Sequence, residues 1–209
     1  MTGKAKAFLS QEQEGVMVDK MGIKKILSEF GEFYAEFKSE SDRAAVILGT
    51  AKLDLLLYQL LAKFMVPNVG SEDELFDGDA PLSTFHAKIQ MAYRLGLIDR
   101  NFVRALHLIR KIRNSFAHET TGCNLSSGAH RNRVKELRLV FKYEIKFEEA
   151  KNLFFKDQPE SSGDFRTALA LVEIRLEGTI KHVLPLDPSD ACELIPEAFY
   201  EAKGKNEAE

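Results

Sequence analysis

The stretch LDLLLYQLLAKFM, residues 53–65, is apolar on almost every face of the helix that it predicts. A helix that is apolar all round is normally buried among other helices, so we expect this one at the centre of a bundle. It continues a segment that starts near SESDR, with Ser39 or Ser41 as N-cap, and it ends before Pro67. Four polar residues interrupt the segment and argue against a membrane span: Lys52, Asp54, Gln59 and Lys63.

Helical periodicity recurs on both sides of this stretch, and strand patterns are almost absent. We predict further helices over residues 21–38, 83–95, 99–118 and 165–183 and a shorter one within 145–157, while 130–146 reads as a basic helix or an extended arm. In the 99–118 helix an apolar stripe steps by three and four residues and should face the core: Phe102, Leu106, Ile109, Ile112 and Phe116.

These elements predict an all-α fold, a single-domain multi-helix bundle. We expect a flexible N-terminal segment at 1–18, a helical domain at 19–185 and a loosely ordered tail at 186–209, with DQPESSGD at 157–164 as a linker before the last helix.

Composition narrows the classes of function. The chain has 209 residues, of which 44% are hydrophobic and 29% charged, and its net charge of -3 argues against a wholly basic nucleic-acid-binding protein. The two cysteines lie far apart, and no apolar run resembles a signal peptide, so we expect a cytoplasmic protein with structural thiols. The histidine spacings and the absence of nucleotide-binding or hydrolase motifs predict no metal, no cofactor and no ordinary metabolic enzyme.

Asp54 lies between Leu53 and Leu55 in the central helix. An isolated buried carboxylate is costly, so Asp54 should be paired if it is buried. We favour a structural ion pair over a functional role for this residue.

The sequence RKIRNSFAHE, residues 110–119, ends the 99–118 helix with a polar cluster. Asn114 and His118 share a helix face, whereas Arg113 and His118 lie about 140° apart round an ideal helix. Such a set fits metal-free RNA cleavage, in which His118 transfers a proton, Arg113 holds the phosphate and Asn114 orients either group. The same residues also suit a polar helix terminus that caps exposed carbonyls.

The R-N-x-x-x-H pattern formed by Arg113, Asn114 and His118 resembles the motif of HEPN-type helical domains. That resemblance implies a ribonuclease or RNA-binding module in which an arginine, a polar residue and a histidine lie in a cleft between two subunits.

Two longer runs, SDRAAVILGTAKLDLLLYQLLAKFM and LFDGDAPLSTFHAKIQMAYRLGLIDRNFVRALHLIRKIRNSFAH, resemble the mannitol operon repressor family over residues 41–118. The resemblance implies an all-helical bacterial regulator of sugar-alcohol genes that acts in the cytoplasm and lacks an obvious DNA-binding module. The namesake repressors lack the arginine–asparagine–histidine cluster, so a relative with another role fits the sequence as well.

Two basic surfaces could contact nucleic acid. The turn at residues 96–98 separates two helices as in a helix-turn-helix, although it equally suits an ordinary helical hairpin. The 130–146 segment carries a basic run that is usually a solvated face. The candidate residues for binding nucleic acid or a partner are Arg100, Arg104, Arg110, Arg131, Arg133, Lys135 and Arg138.

Our first hypothesis is a non-enzymatic transcriptional regulator that resembles the mannitol operon repressor, forms a homodimer, does not engage a membrane, and acts through a protein partner or weak DNA contact. The alternative is a HEPN-type metal-independent ribonuclease or RNA-binding module that uses Arg113 and His118.

Overall fold

The computed structural model describes residues 37–68, 70, 73–119, 122–144 and 146–188. Besides a short helical stretch at residues 37–39, these residues form six helices and no strand: α1 Asp42–Phe64, α2 Phe85–Arg94, α3 Arg100–His118, α4 Gly128–Val140, α5 Lys146–Phe154 and α6 Glu160–His182. The predicted all-α multi-helix bundle is confirmed. The predicted N-terminal segment, almost all of the predicted helix at 21–38 and the tail beyond residue 188 lie outside the described residues.

Helix α1 is the central helix, as its apolar sequence predicts. Ser41 is its N-cap and accepts a hydrogen bond from the Ala44 backbone nitrogen at 3.2 Å, which satisfies one of the free amides of the first turn. Helices α2, α3 and α6 all pack against α1. Gly49 lets α6 approach closely, because a methyl group there would meet the Leu169 side chain. Four leucines of α1 are completely buried: Leu53, Leu57, Leu60 and Leu61.

Helix α1 is long and apolar enough to be a candidate membrane span. The prediction that its polar residues argue against a membrane span is therefore not supported by its mean hydropathy. Half of the most apolar window is buried inside the bundle, which is what the core helix of a globular domain also shows.

Helix α3 connects the centre of the bundle to the polar cluster. Asp99 is its N-cap and accepts from the Phe102 backbone nitrogen at 2.7 Å. The predicted apolar stripe faces the core: Leu106, Ile109, Ile112 and Phe116 are fully buried and Phe102 is half-buried. Because the C-terminal half of this stripe is enclosed, that half of α3 offers a ligand its opposite, polar face.

Two sequence expectations change in the second half of the chain. The basic segment forms a helix, α4, rather than an extended arm, with Val134, Leu137 and Phe141 buried beneath it. The predicted linker at 157–164 is partly wrong, because α6 already begins at Glu160. Its first turn is made of small residues that pack beneath α5, where a Cβ at Gly163 would touch the Lys151 side chain and the Phe155 carbonyl.

A buried arginine on α6 joins several elements. The Arg166 side chain is 1% exposed and its Nη1 lies 3.0 Å from Asp42 Oδ1, while Nη2 donates to the Glu40 carbonyl at 2.7 Å. Asp42 also accepts from the Ser162 hydroxyl at 2.6 Å and from the Leu125 backbone nitrogen at 2.9 Å. These hydrogen bonds and the charge of Arg166 keep the pKa of Asp42 below its usual value, although its partial burial opposes them.

Glu173 is a second buried ionisable residue on α6, but it lacks the hydrogen bonds that stabilise the Arg166–Asp42 pair. Its side chain is 1% exposed, and Oε2 has no hydrogen-bond partner among the described residues. Burial raises the pKa of Glu173 to about 7; the positive charge of Lys52 opposes the shift and the negative charge of Glu177 adds to it.

We predict that Glu173→Gln stabilises the protein above neutral pH. Because the folded-state pKa lies above the ordinary 4.5, the carboxyl costs stability as pH rises from its ordinary pKa through about 7. A tenfold change in proton affinity is worth about 1.4 kcal/mol, so the cost reaches at most roughly 3 kcal/mol. Urea unfolding should therefore show a variant advantage that is small near pH 5 and near this limit at pH 8. Glu177→Gln is the matched control and should show a much smaller pH-dependent difference; an advantage of Glu173→Gln that does not depend on pH would contradict the account.

Candidate functional site

A polar cleft of about 350 Å³ opens between α1, α2 and α3. Helix α1 forms one wall, the N-terminal end of α2 a second, and the polar face of α3 a third. The lining residues are Ile47, Thr50, Ala51, Asp54, Thr84, Phe85, His86, Arg110, Arg113 and Asn114. We call this site the polar cleft.

Two arginines and an asparagine of α3 lie in the polar cleft. Arg113 is exposed, and its Nη1 donates to Asn114 Oδ1 at 3.3 Å. Arg110 is half-buried, and within the part of the chain that the structure describes its Nε has no hydrogen-bond partner. Neither guanidinium is committed to a carboxylate of the described residues, so both arginine forks remain available to an anion.

Two histidine rings of this region lie close to each other. The His86 ring lies 5.2 Å from the His107 ring, measured between centroids. Burial lowers the pKa of His107, and the neighbouring charges of His86, Arg110 and Lys111 lower it further. His107 Nε2 lies 3.0 Å from the side-chain nitrogen of Gln90, which suits an unprotonated ring nitrogen accepting from an amide.

Asp54 is ion-paired, as expected for a structural carboxylate in this helix. The buried ammonium of Lys88 lies 2.8 Å from Asp54 Oδ1, so the pair fastens α2 to α1. The Asp54 side chain is 35% exposed and also lines the polar cleft, where Lys88 offsets its negative charge.

The three residues predicted for RNA cleavage are only partly brought together. Arg113 and Asn114 line the polar cleft, whereas His118 is exposed and is not among the lining residues. The five-residue separation that places Arg113 and His118 on different helix faces is preserved, because α3 stays helical to His118. His86, which the sequence did not single out, is the histidine that joins the two arginines.

Most of the other predicted binding residues lie outside the polar cleft. Arg100, Arg131 and Lys135 are exposed. Three more arginines contact groups of the bundle itself: Arg104 pairs with Glu136 at 3.2 Å, Arg133 donates to Ser115 Oγ at 2.6 Å, and Arg138 pairs with Glu148 at 2.6 Å. Only Arg110 of this set lines the cleft.

A cluster that the sequence did not predict lies beyond the C-terminus of α3. Glu119, Cys123 and His130 meet there, with the Cys123 thiol donating to Glu119 Oε2 at 2.9 Å. Burial, with the hydrogen bond and negative charge of Glu119, raises the pKa of Cys123 to about 11. A thiol of this kind is protonated at neutral pH and is a poor nucleophile, so the cluster does not form a cysteine–histidine hydrolase site.

A second cleft, of about 380 Å³, lies between the α2–α3 turn, the end of α4 and α6. Glu144 and Arg175 line this cleft and pair with each other, and its third charged lining residue, Asp99, is acidic. With no uncommitted cation, this cleft is less suited to an anionic ligand than the polar cleft.

Comparisons with protein-family models, with curated proteins and with solved structures found no match to this chain. Its site is therefore interpreted from its own geometry.

Proposed function

We propose that this protein is a regulator that acts by binding, resembling the mannitol operon repressors, and that its polar cleft holds phosphate groups of nucleic acid. The observation that carries the proposal is the pair of arginines, Arg110 and Arg113, which face the cleft beside His86 without a carboxylate partner among the described residues. Arginine forks bind phosphate oxygens in pairs, and Asn114 and Thr84 can supply further hydrogen bonds.

The size and electrostatics of the polar cleft support a phosphodiester ligand. A volume near 350 Å³ is large enough for a phosphate with its sugar. Burial lowers the pKa of His107 most, and the positive charges of Arg110 and Lys111 lower it further. The chain as a whole has a net charge of -3, so attraction to nucleic acid would be local to this site and to the exposed basic residues of α4.

A homodimer is part of the proposal, and the exposed face of α1 is the surface that supports it. Five uncharged residues at helical spacing form an exposed apolar stripe: Leu48, Ala51, Leu55, Tyr58 and Ala62. Leu48 is 53% and Leu55 48% exposed, which is unusual for leucines on the central helix of a bundle. Ala51 also lines the polar cleft, so pairing of two such stripes about a twofold axis would bring the two clefts close together.

Within one chain, binding is better supported than cleavage, because His118 does not join the arginines in the cleft. The ribonuclease remains a second candidate on one specific observation. Arg113 and His118 are both exposed, and no ion pair to a described residue holds either of them. A second copy across the apolar stripe could supply the missing histidine. The cytoplasm, where a regulator of this kind would meet nucleic acid, is the proposed location.

We predict that Arg110→Ala/Arg113→Ala weakens binding of labelled nucleic acid about tenfold, which is about 1.4 kcal/mol, because two phosphate contacts are lost. The slope of log affinity against log salt should fall by about 1 to 2. Fluorescence anisotropy with a duplex DNA and a single-stranded RNA, each at several salt concentrations, measures both quantities and shows which polymer is preferred.

Lys111→Ala is the matched control, because Lys111 is exposed on the same helix and does not line the cleft. Equal losses of affinity in the control and the double variant would show that nucleic acid binds to the basic surface in general and not to the cleft. Unchanged affinity in the double variant would refute the proposal.

The second candidate predicts RNA cleavage in EDTA that His118→Ala and Arg113→Ala each reduce by at least about 100-fold, the scale of general acid–base catalysis. Gel analysis of labelled RNA measures this, with thermal unfolding to confirm that each variant is folded. If the regulator proposal holds, the RNA stays intact with the unmodified protein.

We predict that Leu48→Arg/Leu55→Arg converts a dimer to a monomer, because two buried charges would meet their symmetry mates across the stripe. Sedimentation equilibrium measures the mass. Leu139→Arg/Leu153→Arg is the control, since these leucines are 62% and 64% exposed on α4 and α5. An unsubstituted chain that is monomeric would contradict the dimer.

A further inference from the structure

The Glu119–Cys123–His130 cluster is independent of the polar cleft and combines three kinds of metal ligand. His130 Nε2 lies 3.7 Å from Cys123 Sγ and 3.1 Å from Glu119 Oε1, and Cys123 Sγ lies 2.9 Å from Glu119 Oε2. The His130 side chain is 8% exposed, and Nε2 is the ring atom that faces the other two residues. A thiol, an imidazole and a carboxylate are the ligands that Zn²⁺ takes in proteins.

The separations of these atoms fit a tetrahedral ion. Zinc–ligand bonds of about 2.0 to 2.3 Å place tetrahedral ligands roughly 3.3 to 3.7 Å apart. The nitrogen–sulfur distance of 3.7 Å and the nitrogen–oxygen distance of 3.1 Å lie at or near this range. The sulfur–oxygen distance of 2.9 Å is a hydrogen-bond length and would need to open by about half an ångström once the thiol proton leaves.

The two described stretches that carry the cluster are held by the bundle. Arg43 of α1 donates to the Phe116 carbonyl at 2.7 Å and also to the Glu119 carbonyl, which fixes the end of α3. Asp42 accepts from the Leu125 backbone nitrogen at 2.9 Å, just beyond Cys123. His130 packs on Phe116 with ring centroids 4.6 Å apart. The ligand atoms are therefore positioned before any ion binds, which lowers the entropic cost of binding.

We propose that Glu119, Cys123 and His130 form a binding site for Zn²⁺, with the fourth position open to water. The ion would join the C-terminus of α3 to the N-terminus of α4. On binding, the thiol releases its proton to solvent and His130 presents the lone pair of Nε2, so that a thiolate, a neutral imidazole and a carboxylate face the ion.

Two features limit the affinity. Arg43 and Arg133 bring positive charge near the cluster, although their guanidinium groups donate to the end of α3, to carbonyls and to Ser115 Oγ. Coordination through Nε2 also leaves the ring proton on the buried Nδ1, which has no acceptor among the described residues. We therefore expect weaker binding than at a closed four-ligand site.

The test uses the full chain, stripped with EDTA and titrated with Co²⁺ and then Zn²⁺. One Co²⁺ per chain should bind with a thiolate-to-cobalt absorption band in the near ultraviolet, and Zn²⁺ should displace it. Cys123→Ser should abolish the band and weaken Zn²⁺ binding by roughly 100-fold, and His130→Gln should weaken it by a similar factor. Cys192→Ser, which removes the chain's other cysteine, is the matched control and should keep the band.

A second readout guards against variants that fail to fold. In the unmodified protein, Zn²⁺ should slow alkylation of Cys123 at least tenfold, measured by mass spectrometry of the peptide, and leave the rate at Cys192 unchanged. The proposal is overturned if no band forms, if the band survives in Cys123→Ser or is lost in Cys192→Ser, or if Zn²⁺ does not protect Cys123.

Discussion

The buried ion pair between Arg166 and Asp42 is the interaction on which the rest of this structure depends. It joins residues 124 positions apart and holds α6 against the start of α1, while Asp42 also fixes the backbone at Leu125. Breaking a buried pair from one side leaves an uncompensated charge, typically at a cost of about 3 to 5 kcal/mol. The neighbouring Arg43 then holds the end of α3, so the start of α1 organises both the polar cleft and the Glu119–Cys123–His130 cluster.

Helix α1 serves two surfaces at once. One face carries the fully buried leucines of the core, and the other carries the apolar stripe beside the polar cleft. The Lys88–Asp54 pair lies where these surfaces meet and fastens α2, which brings His86 to the cleft. In the proposed regulator, dimer formation and ligand binding would both involve residues of α1.

The sequence predicts well what depends on local pattern. The stripe of α3, the central position of α1 and the polar end of α3 follow from helical spacing, and the pairing of Asp54 follows from the cost of an isolated charge. The features that the sequence does not predict depend on contacts between residues that are far apart in the chain. Nothing near Arg166 indicates that it is buried, and the early start of α6 depends on how small residues such as Gly163 pack under α5.

In the candidate site, too, the sequence predicts the residues that lie close together in the chain and not those that come from other helices. Arg113 and Asn114 were found because they share a short motif, but His86 enters the cleft from another helix and has no sequence signature. Glu119, Cys123 and His130 follow none of the familiar ligand spacings, and only the fold brings them together. A search restricted to His-x-x-x-His and Cys-x-x-Cys patterns passes over such a set.

We propose that nucleic-acid phosphate binds in the polar cleft. Photo-crosslinking of a strand containing thiolated bases, followed by mass spectrometry of the adducts, tests it most directly because it locates the strand on the protein without relying on substitutions. The account predicts adducts on peptides that contain Thr84–His86 and Arg110–Asn114. Adducts confined to α4, or none above the level of a heat-unfolded control, would contradict it.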